Sequence, residues 1–378
     1  MTTWEQYARR QDSRKIYLAH IDTLAPDGSV DVLRVSTAPI RPGETDVPYL
    51  PILSGDAMPA YSTSIQEVLQ GRSQDGFGEL AINILDGRMD ARIADDKWSG
   101  RRVAVYMGFA GLHVNDYRLL FSGRQQRIEY DDRILRIPII SPKLSLVRRM
   151  QGQGNYSGAA PEIVAALLTL ANITDIDPAA WDAWASENDF TISYSLDNAM
   201  SVGTLLDEIL GRIACFWRFT REGKFTLGTF APPDPAAEPA LKIDTALHGV
   251  GKTDAVKVRR LDRYWRVRVQ YHRAAAKTVS QQDAAILAED PLALDGGAIE
   301  TYLVHAADAE TVLQRWWALR SVPRTLVEIR SKVLPLTLEL ADPIALTHRR
   351  HGFDATPLRV VSLNEDYNAN RVIVGGWM

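Results

Sequence analysis

Three glycines near the middle of the chain have a spacing close to that of a nucleotide-binding loop. Gly152, Gly154 and Gly158 follow strand-like sequence and precede a predicted helix. Their spacing departs from the dinucleotide fingerprint by one residue, and residues 173–178 supply no strand ending in the required acid because they run into a proline turn. We interpret residues 151–158 as a glycine-rich linker.

Paired carboxylates occur in three places and could act as the acid and the base of a glycosidase. The pairs are Asp95 with Asp96, Asp131 with Asp132, and Asp175 with Asp177. All lie in predicted turns, where aspartate commonly accepts hydrogen bonds from the backbone. The metalloprotease spacing of histidines around a glutamate and the glycine-x-serine-x-glycine elbow of hydrolases are both absent from the sequence. We therefore predict no catalytic residues, no metal site and no cofactor.

Two basic stretches are candidates for contacts with other molecules. The run His348-Arg349-Arg350-His351-Gly352 lies between two predicted strands, with glycine at a turn position. We interpret it as a loop that is either solvated or in contact with another subunit, rather than as a metal or phosphate site. His348, Arg349 and Arg350 are therefore candidate interface residues.

The second basic stretch alternates with aromatic residues, a pattern that could bind nucleic acid. It comprises Arg259, Arg260, Arg263, Arg266, Arg268 and Arg273, interleaved with Tyr264, Trp265 and Tyr271. On one strand, Trp265 would face opposite to Arg266 and Arg268, so the aromatic ring would pack in the core and could not stack on a base beside them. We interpret this strand as an exposed or interface face and take Trp265, Arg266 and Arg268 as candidate interface residues.

The totals exclude several classes of protein. The 378 residues include 43 Lys and Arg against 47 Asp and Glu, a formal net charge of −4 that favours no general binding of nucleic acid. Cys215 is the single cysteine, so neither an internal disulfide nor a multi-cysteine metal site can form, and we expect a buried structural thiol. No apolar run reaches the roughly 18 residues of a membrane span, and residues 1–12 are too polar for a signal peptide. We expect folding in the cytoplasm, without membrane insertion.

The first 150 residues predict short strands separated by turns. Residues 15–21 and 29–35 flank Pro26-Asp27-Gly28, which is typical of a hairpin turn. Further predicted strands are 79–85, 101–107, 117–121, 125–130 and 133–139. Many short strands without intervening helices indicate a sandwich or a barrel.

The middle of the chain mixes helices and strands. Apolar spacing predicts a helix at 161–172 and a second one that begins at Ser201. A strand is predicted at 190–196, and a hairpin at 216–230 turns around Glu222-Gly223. A small α+β module thus spans about residues 155–231, and the proline- and alanine-rich segment 231–240 is predicted to be a linker.

The last part of the chain is again mainly β. Alternation from Trp265 to Tyr271 predicts a strand, and a helix is predicted at 306–320. Later strands are predicted at 325–333, 336–340, 344–347, 358–363 and 371–374. The final portions of the two β regions are similar in pattern but share little identity, so an internal duplication and an independent origin both fit.

The order of elements resembles that of baseplate hub proteins of phage tails, of both the contractile-tail and the siphophage type. The phrases that carry the resemblance are WSGR at 98–101, LLFSG at 119–123, LTLELADPIALTH at 336–348 and VGGW at 374–377. The resemblance covers nearly the whole chain and is mainly architectural. It implies an α+β, mainly β fold, in which two related β-barrel domains flank a small α+β module.

We place the domain boundaries on this basis. Residues 1–13 would form an N-terminal arm, 14–150 the first β-barrel domain, 151–245 the α+β domain and 246–378 the second β-barrel domain. A helical insert would occupy about residues 274–322 of the second barrel domain.

The resemblance also implies a structural, non-enzymatic role in the virion tail, at the baseplate or the tail tip, after assembly in the host cytoplasm. Three subunits with two barrels each would form a homotrimeric ring that matches the sixfold tail tube above and a threefold tip, spike or fibre below. Implied partners are the distal tail protein or tail tube and the tip, spike or fibre protein, with the tape measure protein as a further candidate. DNA would only pass through the channel.

Some tail-tip relatives carry a cysteine-ligated iron–sulfur cluster, which a chain with Cys215 alone cannot hold. Two alternatives remain open at this point. One is a distal tail protein, which also forms a ring of β domains, and the other is a tail-associated cell-wall hydrolase.

Overall fold

The fold is α+β and mainly β, as predicted. The computed structural model describes residues 4–9, 13–41, 43–55, 58–66, 72–76, 78–248, 256–272, 275–332, 334–369 and 371–378. The helices are α1 Trp4–Arg9, α2 Asp90–Asp95, α3 Lys143–Arg148, α4 Ala160–Leu170, α5 Pro178–Glu187, α6 Val202–Arg212, α7 Thr245–His248, α8 Ala284–Glu289 and α9 Ala306–Arg320. The strands of the first half are β1 Lys15–Leu24, β2 Val30–Ser36, β3 Tyr61–Gln66, β4 Arg72–Gly76, β5 Glu79–Asn83, β6 Arg102–Phe109, β7 Arg118–Gln125, β8 Glu129–Tyr130, β9 Ile134–Ile140, β10 Met150–Gln151, β11 Gly154–Ala159 and β12 Thr191–Leu196. Those of the second half are β13 Met200–Ser201, β14 Cys215–Phe219, β15 Phe225–Thr229, β16 Leu241–Asp244, β17 Val256–Arg260, β18 Tyr264–Tyr271, β19 Lys277–Gln282, β20 Leu294–Glu300, β21 Thr325–Ser331, β22 Pro343–His348, β23 Phe353–Asp366 and β24 Arg371–Trp377.

The first β region forms a curved, barrel-like sheet. Its strands lie in the order β2-β1-β6-β7-β9-β5, and neighbouring strands are antiparallel. The segment after β2 joins the two outer strands, because Leu53 N donates to the carbonyl of Ser36 on β2 at 3.0 Å and Asn83 N on β5 donates to the carbonyl of Ile52 at 2.8 Å. This segment thus bridges part of the two outer strands.

Local features of this barrel follow the sequence. The predicted hairpin between β1 and β2 is confirmed, with Leu24 opposite Val30 and Gly28 in the turn at a φ of 87°. Glycine adopts this left-handed conformation without the steric cost that a Cβ atom brings. Helix α1 docks on the barrel through Trp4, which is 3% exposed and whose Nε1 donates to the carbonyl of Met107 at 3.1 Å.

The second large sheet has the order β16-β22-β23-β24-β21-β17. The first part of the long strand β23 pairs with β22, and its last part pairs with β3, which pairs in turn with β4. Two strands from the first 150 residues therefore belong to this sheet. In the described part of the chain the outer strands β16, β17 and β4 each pair on one side only, so the sheet has open edges where we had expected a closed barrel.

The middle module consists of three two-stranded sheets with α4, α5 and α6. Ser201 begins α6 as predicted, since its hydroxyl accepts a hydrogen bond from Thr204 N at 3.1 Å. The linker prediction at residues 151–158 was wrong, because β11 pairs there with β12. Tyr156 on β11 also stacks on Tyr194 of β12, with ring centroids 5.0 Å apart, so this glycine-rich segment is held by cross-strand contacts.

The predicted insert in the second β region has strands as well as helices. Helix α9 has the predicted bounds, but β19 and β20 pair on either side of β18 and form a third sheet. Val267 and Val269 of β18 are fully buried, as the alternation predicted, and α9 packs on this strand. The insert is therefore α+β rather than helical. The domain boundaries that we placed at residues 150 and 245 stay predictions.

Candidate assembly surfaces and their buried junction

A buried arginine lies where the three parts of the chain meet. Arg221 is only 6% exposed although it belongs to the turn between β14 and β15. Its guanidinium pairs with the carboxylate of Glu365 on β23, and its Nη1 donates to the carbonyl of Leu120 on β7 at 2.6 Å. Its Nη2 donates to the carbonyl of Leu338 at 2.9 Å. One side chain thus connects the middle module to the first barrel and to the second sheet.

Further polar contacts surround this ion pair. Tyr367 donates its hydroxyl hydrogen to Glu365 at 2.6 Å, and Tyr17 on β1 donates to the carbonyl of Tyr367 at 3.2 Å. Burial and the Glu365 carboxylate raise the pKa of Tyr367 well above its usual value, so this hydroxyl stays a donor. The guanidinium carbon of Arg221 also lies 5.1 Å from the ring centroid of Tyr61. These partners satisfy a buried charge that would otherwise be very costly.

A second ion pair lies beside the first. Arg218 on β14 pairs with Glu339, whose carboxylate also accepts from Arg221 N at 2.9 Å. Asp342 accepts from Glu339 N at 2.8 Å, and its burial raises its pKa. Arg359 on β23 spans to the middle module, where its Nη1 donates to the carbonyl of Ala231 at 2.9 Å. We call Arg218, Arg221, Glu339, Arg359 and Glu365 the junction. The sequence did not predict it, because no local signal indicates that an arginine in a turn is buried.

The candidate interface strand β18 uses its arginines within the subunit. Arg266 Nη1 and Arg268 Nη2 both contact Asp295 on β20, at 3.2 and 2.7 Å. The ring of Trp265 is half-buried and lies 4.1 Å from the guanidinium carbon of Arg266, which differs from the predicted separation on opposite faces. The pairing of β18 with β20 shifts register on either side of Arg266, which disturbs the regular alternation there. A role for Trp265, Arg266 and Arg268 between subunits stays a prediction.

The other candidate loop connects β22 to β23, and His348 is the last residue of β22. His348 Nδ1 lies 2.6 Å from the hydroxyl of Thr245, and its ring lies 5.0 Å from that of His351. Arg349 and Arg350 are exposed, and no described residue forms an ion pair with either of them. Their contact with another subunit also stays a prediction.

Asp131, Asp177 and Cys215, which had been considered as candidate catalytic groups, contribute to local structure. Asp131 Oδ1 accepts from the backbone N–H groups of Arg133 and Ile134, which lower its pKa. Asp177 caps α5. Cys215 is fully buried, and burial raises the pKa of its thiol. Among the described residues, no group of three or more His, Cys, Asp or Glu could hold a metal ion, and no helix is both long and apolar enough to cross a membrane.

Comparison with known proteins places the fold. No family model and no curated protein sequence matches the chain. Among solved structures, the prophage tail protein gp18 from Listeria monocytogenes EGD-e is similar, with 12% identity and a TM-score of 0.50 over 95% of this chain and 94% of that chain. The 43 kDa tail protein of prophage MuSo2 from Shewanella oneidensis has 12% identity and a TM-score of 0.47, over 98% of both chains.

A chain in the virion of a native gene transfer agent particle has 14% identity and a TM-score of 0.40, over 80% of this chain and 78% of that chain. The similarity to gp18 extends over nearly the full length of both proteins. This chain therefore has the fold of a prophage tail protein.

Proposed function

We propose that this chain is a structural, non-enzymatic subunit of a phage tail and, more specifically, a baseplate hub protein. The observation that carries the proposal is the fold similarity to a prophage tail protein over 95% of this chain. The sequence phrases that resemble hub proteins lie in both β regions and point the same way. A fold alone does not define a function, so the hub role rests on these two features together.

The proposed subunit works through its surfaces. Three copies would form a ring around a channel, with the tail tube or the distal tail protein above and the tip, spike or fibre protein below. DNA would pass through the channel, and the tape measure protein is a further candidate partner. The buried junction suits this task, because it holds the first barrel, the middle module and the second sheet in one arrangement and so fixes the relative positions of their outer faces.

The mass of the purified chain tests the ring. Size exclusion with light scattering should give a trimer of 42.1 kDa subunits, and negative-stain images should show a ring with a central hole. Antibodies against the chain should label one end of the tail in particles that contain it. A hexamer would contradict the hub assignment and favour a distal tail protein. Release of sugar or peptide from purified cell wall, abolished by changing one carboxylate pair, would contradict the non-enzymatic role.

A further inference from the structure

One segment of the middle module carries negative charge only. Between Met150 and Arg212 the sequence has no Lys, Arg or His. It has nine carboxylates, which are Glu162, Asp175, Asp177, Asp182, Glu187, Asp189, Asp197, Asp207 and Glu208. Glu208 forms an ion pair with Arg212 at 3.3 Å, and Asp207 accepts a hydrogen bond from Nε1 of Trp217 at 2.9 Å. Among the described residues, no ion pair is formed by Glu162, Asp182, Glu187, Asp189 or Asp197.

Helix α5 presents part of this charge on its exposed side. Its exposed residues include Ala179, Asp182, Ala183, Ser186 and Glu187, so two carboxylates stand among small side chains. Residues four apart on a helix lie on the same side, which groups Asp182 with Ser186 and Ala183 with Glu187. The Glu187 carboxylate also accepts a hydrogen bond from the hydroxyl of Thr229 at 3.2 Å. Small neighbours let a partner approach these carboxylates closely.

Strand β17 has the opposite charge and an open edge. It pairs with β21 and, among the described residues, with no other strand. Lys257 lies 3.7 Å from Glu328, but Arg259 and Arg260 are exposed and no described carboxylate pairs with them. Val258, between Lys257 and Arg259, is 41% exposed. The edge therefore offers unpaired backbone groups, an apolar side chain and two guanidinium groups, one on each face of the sheet because neighbouring residues of a strand face opposite sides.

A charged edge strand can have a protective role alone, because charge keeps other strands from pairing with it. That role needs charge of either sign and does not account for a face of opposite charge elsewhere on the same chain. Among the described residues, neither Asp182 and Glu187 nor Arg259 and Arg260 form an ion pair within the subunit, and each subunit carries both sets. The partner that matches both is a second copy, in a head-to-tail contact of the kind that closes into rings.

We propose that β17 of one subunit docks against α5 of the next, with Arg259 and Arg260 opposite Asp182 and Glu187. The inference deepens the proposed function and rests on it, since it assigns the contact that joins copies within the ring. Guanidinium and carboxylate groups form charge-assisted hydrogen bonds, so both the alignment and the affinity of the contact depend on these four side chains.

Charge reversal on each side tests this contact. We expect R259E/R260E and D182R/E187R each to raise the dissociation constant of the trimer at least about tenfold, as measured by light scattering over a dilution series. The quadruple variant R259E/R260E/D182R/E187R should restore the trimer because it exchanges the charges of the two surfaces. The control R148E/R149E makes the same charge change at two exposed arginines on and after α3 and should leave the trimer unchanged.

The possible outcomes distinguish a failure of this contact from a failure of the proposed ring. The contact would be overturned, and the hub proposal would remain, if both double variants still formed trimers. The same would follow if the quadruple variant were folded by circular dichroism yet monomeric. A monomeric wild type would overturn the ring and the contact together. All four side chains are exposed, so the variants should melt at the same temperature as the wild type.

Discussion

At the scale of single residues, the protonation of His20 makes the stability of the fold depend on pH. It lies on β1 with its Nε2 2.7 Å from the hydroxyl of Tyr49, and its ring centroid is 4.9 Å from that of Tyr106. Burial lowers the pKa of His20 below its ordinary value of 6.5, and the charges of Arg34 and Arg102 lower it further. The folded chain therefore takes up this proton at lower pH than the unfolded chain does.

We predict that His20 makes the protein less stable in mild acid. As the pH falls below 6.5, the unfolded chain binds a proton at this position that the folded chain resists, so the free energy of unfolding decreases. Urea unfolding at about pH 7.5 and about pH 5.5 should show a larger decrease for the wild type than for H20Q. The control H113Q, at a histidine whose side chain is 32% exposed, should behave as the wild type does. An equal decrease in H20Q would contradict the prediction.

At the scale of elements, the close approach of β6 to the chain after it depends on a glycine. Gly108 packs under the ring of Tyr117, and a Cβ atom at position 108 would lie 2.3 Å from Cδ1 of that ring. Tyr117 is buried, so the ring cannot move aside without disturbing the barrel. The absence of a side chain at this position therefore sets how closely the two segments pack.

We predict that G108A lowers the free energy of unfolding by about 1–3 kcal/mol, the usual cost of overpacking. Urea unfolding should show this as a lower midpoint with an unchanged slope. The matched control is G152A, because no atom lies within 4 Å of a Cβ atom at position 152. If the two variants have the same midpoint, the packing of Tyr117 does not restrict position 108.

At the scale of the whole molecule, the junction should make the three parts unfold together. R221A would leave Glu365 buried without its counter-charge and the carbonyls of Leu120 and Leu338 without their donor. We predict a loss of about 3–5 kcal/mol, typical of a broken buried pair. The control K224A removes an exposed pair with Glu222 from the same turn and should cost less than about 1 kcal/mol.

Hydrogen exchange provides the measurement for this prediction. In the wild type we expect the amide hydrogens of β7, β14 and β23 to exchange through one shared opening event. In R221A we expect the three strands to exchange through separate openings. The variant R221M/E365M removes both charges and should recover part of the lost stability. Independent opening of the three strands in the wild type would contradict the role of the junction.

Much of the local structure could be predicted from the sequence. The β1–β2 hairpin, the start of α6 at Ser201 and the bounds of α9 follow from turn residues, a helix cap and apolar spacing. The turn role of Asp131 follows for the same reason, whereas Asp177, predicted in a turn, caps the unpredicted helix α5. Each of these features depends on residues a few positions apart, whose backbone preferences and hydrogen bonds act within one segment.

The arrangement of the segments was decided by tertiary structure. Sequence patterns did not indicate that β3 pairs with β23, that a glycine-rich segment becomes β11, or that Asp295 pairs with Arg266 and Arg268. Nor did they show that Arg221, in a turn like any exposed one, is buried against groups more than 100 positions away in the chain. Such contacts form because packing brings distant apolar faces together and then requires each polar group trapped between them to find a partner.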